Sequence, residues 1–118
     1  MAVPLRLITG ILCALVLGCG EESERCLPVA VDDVFASKCR VCHNQALEFG
    51  APMSLDSWDD TQAPSTRSGV AVWEETSRRI HMDTRPMPPT GLPPLSAAEL
   101  EILDQWIAAG APPGECSE

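Results

Sequence analysis

The sequence predicts a small all-α domain. Three observations carry this: apolar stripes at helical spacing, a helix-start signature at Ser96-Ala97-Ala98-Glu99, and no run of strand-type alternation of any length. The length of 118 residues allows one domain of this kind, with no internal repeat.

The first helix is expected over residues 32–42, with Asp32 or Asp33 capping its start. Val31, Val34 and Phe35 share a face that Cys39 and Cys42 extend, and Asn44 is a stop. Residues 44–66 read as mostly irregular, broken by Gly50, Pro52, Pro64 and the polar run Asp59-Asp60-Thr61-Gln62. A single turn is expected at Ser54-Leu55-Asp56-Ser57-Trp58. A second helix is predicted over 68–80, with Val70, Trp73, Ser77 and Ile80 as its stripe and Glu74, Glu75, Arg78 and Arg79 largely off it. Glu74 with Arg78 and Glu75 with Arg79 make i,i+4 pairs that support a helix by roughly 0.2–0.5 kcal/mol each.

Residues 83–95 are excluded from helix by Pro86, Pro88, Pro89, Pro93 and Pro94, which favour a stiff extended loop. The last helix is the most strongly encoded. Its capping box precedes the stripe Leu100, Leu103, Trp106 and Ile107, and Gly110 with Pro112-Pro113 ends it. Trp106 reads as core between the terminal helices.

The N-terminus predicts export. Arg6 precedes an apolar run from Leu7 to Leu17, the layout of a secretory signal and too short for a comfortable transmembrane helix. Val16-Leu17-Gly18-Cys19 resembles a bacterial lipoprotein box. That resemblance implies residues 1–18 as signal peptide, cleavage before Cys19 and lipid on Cys19, which gives stable anchoring. Residues 19–28 then form a lipidated tether and 29–118 the domain. Cleavage to a soluble periplasmic product is the alternative. Without the signal the chain has seven basic and 17 acidic residues, a formal charge of −10. This argues against nucleic acid and against direct adhesion to anionic lipid headgroups. It suits a partner with a basic patch.

The chemistry is concentrated in Cys39-Arg40-Val41-Cys42-His43. A C-x-x-C-H run is an attachment site for c-type haem. Two thiols three residues apart lie on one face of a helical turn and reach the vinyl groups on one ring edge. The adjacent imidazole then ligates the iron. A thioredoxin-type pair needs a βαβ context that is absent here, and zinc needs more ligands at workable spacing. Six cysteines can be assigned. Cys13 leaves with the signal, Cys19 takes lipid, and Cys39 and Cys42 take haem. Cys26 and Cys116 remain, and in an oxidising compartment a leftover pair is expected to form a disulfide.

Four side chains are candidates for the second axial position: Met87, His81, Met82 and Met53. An open position is a fifth possibility. Met87 is favoured because the prolines of Arg85-Pro86-Met87-Pro88-Pro89 fix the backbone that presents its thioether. His81 would give a bis-histidine iron, and Met53 reads as packing.

Cys39-x-x-Cys42-His43, Met87-Pro88-Pro89, and the stretch from Leu95-Ser96-Ala97-Ala98-Glu99-Leu100 through Gln105-Trp106-Ile107-Ala108-Ala109-Gly110-Ala111-Pro112 together resemble a small single-haem cytochrome c. The likeness is to the cytochrome c domains of planctomycete and myxobacterial exported proteins. It spans roughly residues 30–113. It implies three or four helices around one covalent haem, crossed terminal helices, His43 as proximal ligand and Met87 as distal ligand. Asn44 departs from the glycine that often follows the haem histidine. With no tyrosine present, the indole N–H of Trp58 or Trp73, or else Arg85, is a candidate propionate partner. Leu55 and Trp58 are candidates to face the haem.

The expected function is outer-sphere transfer of single electrons between exported redox proteins, with no catalytic residue. It is placed in the envelope of a Gram-negative-type bacterium, facing the periplasm, with the outer membrane weakly favoured. Two alternatives are a haem peroxidase or gas sensor with an open sixth position, and a haem-containing subunit of a larger exported oxidoreductase.

Overall fold

A computed structural model describes Gly18 and residues 23–117. The signal segment up to Leu17 and the lipidation candidate Cys19 lie outside the described residues. Among those described, the protein is all-helical, with only isolated β-bridges. Its helices are α1 (Val29–Lys38), α2 (Trp58–Gln62), α3 (Val72–Ile80) and α4 (Ala97–Ala108), with a 3-10 turn at Glu48–Gly50. None is long and apolar enough to cross a membrane.

α1 and α4 pack against each other, α3 packs on α4, and α2 packs on α3. Phe35 and Leu103 are fully buried where the first pair meets. Phe35 stands edge-on to Trp106, with ring centroids 6.0 Å apart and planes at 85°. Burying each such side chain contributes about 1.5–3 kcal/mol. Trp106 therefore lies in the core between the terminal helices, and its indole N–H donates to the Pro112 carbonyl at 2.9 Å.

α4 starts as its sequence directs. Ser96 Oγ accepts from the Glu99 N–H and the Glu99 carboxylate accepts from the Ser96 N–H. Gly110 follows at φ +88°, a left-handed conformation that glycine adopts without strain. The other boundaries differ from expectation. α1 begins three residues early, at Val29 after Pro28, with no side-chain cap from Asp32 or Asp33. It ends at Lys38, so the C-x-x-C-H run lies beyond the helix. Pro28 stands at the N-cap, and its carbonyl accepts the first helical bond from Asp32 N–H at 2.9 Å, so Asp32 lies inside the first turn instead of capping it.

The run Asp59-Asp60-Thr61-Gln62, read as a breaker, belongs to α2. Ser57 caps Asp60 in a second reciprocal box, and the two aspartates sit at the positive end of the helix dipole. α3 starts at Val72 rather than Ser68, leaving Val70 outside the helix. Glu75, placed off the apolar stripe, is buried, and its carboxylate pairs with Arg78 at 3.2 Å. This i,i+3 contact stands in place of the Glu75–Arg79 pair expected at i,i+4.

The chain ends meet. Cys26 and Gly114 form a backbone bridge, and Gly114 N–H donates to the Cys26 carbonyl at 2.7 Å. A Cβ on Gly114 would lie 2.6 Å from the Pro28 Cα, so the approach requires glycine here. Two residues on, Cys116 is disulfide-bonded to Cys26, with Cα atoms 5.1 Å apart. Leu27 is buried in the core and Arg25 lies over the Trp58 ring. Residues ahead of 29 therefore take part in the packing.

Candidate functional site

The C-x-x-C-H run winds through one loose turn after α1. Cys39 and Arg40 N–H both donate to the Phe35 carbonyl at 2.9 Å. His43 N–H closes the turn on the Cys39 carbonyl, also at 2.9 Å. Asn44 secures the exit, donating to the Arg40 carbonyl at 3.0 Å and accepting from Ala46 N–H at 2.9 Å. Cys39 and Cys42 are free thiols, both half-buried.

A cavity of about 560 Å³ opens beside this turn. Its wall holds Cys39, Cys42 and His43, and the Pro-rich loop after α3 brings Met87 to the same space. The rest of the wall is mainly apolar, with Leu55, Ile80 and Leu95 among its residues. The volume falls in the range of roughly 300–1,000 Å³ typical of cofactor and small-molecule sites.

His43 is buried, and its Nδ1 lies 3.0 Å from the Met53 carbonyl oxygen. A carbonyl only accepts, so Nδ1 carries the proton and donates. In the neutral ring this tautomer leaves the lone pair on Nε2. A ring nitrogen held by a backbone carbonyl while the other remains free is the usual arrangement of a metal-binding imidazole. Met53 thus adds a polar contact to the packing role expected of it.

Arg40 fixes this arrangement. It occupies a spacer position of the motif, where sequence gives no sign of a role. Its guanidinium pairs with the Asp32 carboxylate of α1 and with Asp56 at 3.3 Å. It also donates to the Leu55 carbonyl at 2.9 Å. One side chain therefore ties α1, the motif and the segment carrying the Met53 carbonyl. Arg40→Gln should lower stability by about 2–3 kcal/mol in urea unfolding, because hydrogen bonds to a charged group are lost. The His43 Nδ1 proton resonance should shift with it.

Burial raises the Cys39 thiol pKa from 9.0 to about 11, with nearby Arg40 opposing and Glu99 adding to the rise. Below pH 9 the folded, haem-free chain therefore holds about a hundredfold less thiolate at this position than the unfolded chain. The more basic thiolate is also the better nucleophile, which offsets part of this. Cys39 should react with iodoacetamide about tenfold more slowly folded than in urea, as peptide mass analysis can read. Between pH 9 and about 11 the unfolded chain loses this proton first, so stability falls as pH rises across that window.

The remaining candidates separate. His81 and Met82 do not line the cavity. His81 is exposed, with Nε2 2.7 Å from an Asp104 carboxylate oxygen. Met53 shares the cavity wall with Met87. Leu55 faces the cavity as expected, but Trp58 does not, and its indole N–H is committed to the Ala111 carbonyl at 3.0 Å. Trp73 packs against the core and is not in the wall. Arg85 is exposed and also lies outside the wall.

No family model, curated protein or solved structure matches the chain.

Proposed function

We propose that this chain is a lipid-anchored c-type cytochrome with the cytochrome c fold, carrying single electrons between exported redox proteins. The observation that carries the reading is the convergence of Cys39, Cys42, His43 and Met87 on one mainly apolar cavity. These residues come from the turn after α1 and from a loop more than 40 positions later, so chain proximity does not explain their meeting.

The donor set fits the group. Cys39 and Cys42 would hold a haem through thioethers, and His43 and Met87 would hold its iron. A bound haem supplies a reversible one-electron iron couple, whose potential a histidine–methionine ligand pair sets high. The protein's own residues supply the rest. Met53 orients His43, and Arg40 holds the Met53 segment. The apolar wall would keep water from a bound ring and favour the less charged state of its iron. Val41, between the two cysteines, is exposed at the cavity mouth, and a thioether-linked ring edge there would be open to a partner. The cavity wall has no histidine besides His43, so no imidazole is free there for proton transfer.

Export and anchoring rest on the signal and on Cys19. The acidic surface favours electron donors and acceptors with basic faces, and disfavours nucleic acid.

Optical spectra of the matured protein, oxidised and reduced, test this reading. A methionine-to-ferric charge-transfer band is expected, with no binding of carbon monoxide to the reduced form. Ready carbon monoxide binding without that band would make ligand sensing or peroxide chemistry the better account.

A further inference from the structure

Beyond the signal, seven basic side chains face 17 acidic ones. Arg40 pairs with Asp32 and Asp56, and Arg78 pairs with Glu75. Arg25, Arg67, Arg79 and Arg85 have no carboxylate within ion-pair distance among the described residues, and of these four Arg67 and Arg79 line the cavity. Arg79 is half-buried and Arg67 exposed at the rim, so both guanidinium groups are open to an anion placed in the cavity.

Arg79 is held firmly. Its Nε donates to the Arg85 carbonyl at 2.9 Å, and its own carbonyl accepts from Met87 N–H at 3.0 Å. The terminal nitrogens carry no hydrogen bond to the described protein. Arg67 follows α2, and its backbone N–H donates to the hydroxyl of Ser65, which also lines the cavity. Glu75, the wall's only carboxylate among the described residues, is already engaged by Arg78 and by the Ser68 hydroxyl at 3.1 Å.

We propose that Arg67 and Arg79 bind the two propionate carboxylates of the haem. This assignment rests on the haem reading above. It places the carboxylate contacts on α3 and the loop before it, rather than on the tryptophans or Arg85. Arg79 also joins the carboxylate contact to the Met87 loop through the backbone bond just described.

The test uses the matured full chain, carrying haem labelled with carbon-13 in the propionate carboxyls. Redox-difference infrared spectra are recorded for wild type, Arg67→Gln, Arg79→Gln and Arg85→Gln. In wild type, both carboxylate bands are expected to be displaced from the position of a solvated carboxylate. Each of the first two substitutions should return one band to that position, and Arg85→Gln should leave both in place. The reduction potential should fall in R67Q and R79Q, because a cation beside the ring favours the reduced state. Bands and potentials unmoved in both variants would overturn the assignment while leaving the haem in place. A chain that carries no labelled carboxyl at all would overturn the haem reading itself, and this assignment with it. Should R79Q fail to fold, R67Q alone decides the matter.

Discussion

Met87→Ala should open the iron of the matured protein to exogenous ligands. Two outcomes are expected together: loss of the methionine–ferric band, and carbon monoxide binding by the reduced form where wild type has none. The reduction potential should fall by on the order of a few tenths of a volt, within the roughly 0.8 V over which axial ligands set haem potentials. The physical reason is that a thioether favours ferrous iron, whereas water or hydroxide favours ferric. Met53 shares the cavity wall, so Met53→Leu is the matched control and should leave band and potential in place. Its backbone carbonyl, which orients His43, survives the substitution. If instead Met53→Leu removes the band and Met87→Ala does not, the ligand assignment passes to Met53. The fold is expected to tolerate both changes, since neither side chain is fully buried.

Cys26→Ser with Cys116→Ser should give the largest loss of stability. The bond closes a loop with a sequence separation of 90. In the chain-entropy account, a loop of this size contributes about 4–5 kcal/mol. The loss should appear as a lower urea midpoint with a changed slope, because the unfolded chain becomes less compact. The bond also secures the backbone bridge between Cys26 and Gly114, which closes one end of the core beside Leu27. Gly114→Ala reaches the same junction independently, because its Cβ would collide with Pro28 backbone atoms. Destabilisation by Gly114→Ala with the disulfide intact would show that the close approach contributes in its own right. A double serine variant with unchanged stability would contradict the loop-closure account.

Legibility in the sequence followed how local each determinant is. The Ser96–Glu99 box, the Leu103 and Trp106 stripe and the helix-stopping glycine at 110 act within one or two turns, and α4 follows from them. α2 went unread because Asp59 and Asp60 resemble loop residues, and their helical role appears only once Ser57 is recognised as the cap. The start of α3 was misplaced because Val70 continues its apolar stripe at helical spacing. Pro64 and Ala71 are instead tied by a backbone bridge that periodicity does not register.

The cavity shows the same division. Cys39, Cys42 and His43 are adjacent in sequence, and their spacing carries the chemistry. Met87 was indicated by its flanking prolines. Arg40, the Met53 carbonyl and the Arg67–Arg79 pair carry no such mark. Arg40 sits in a variable spacer, a carbonyl has no sequence signature, and Arg79 looked like an outward residue of a polar face. Arg40 and the Met53 carbonyl acquire their places from contacts 8 to 16 residues away, and Arg67 and Arg79 from a cavity that brings separate segments together.

The most direct measurement is the mass of the peptide containing Cys39 and Cys42, taken from the exported protein after acid extraction of loose haem. The account predicts a peptide heavier by one haem, with both sulfurs in thioether linkage and neither available to alkylation. A peptide of unmodified mass with two free thiols, recovered from cells that attach haem to other exported cytochromes, would contradict it.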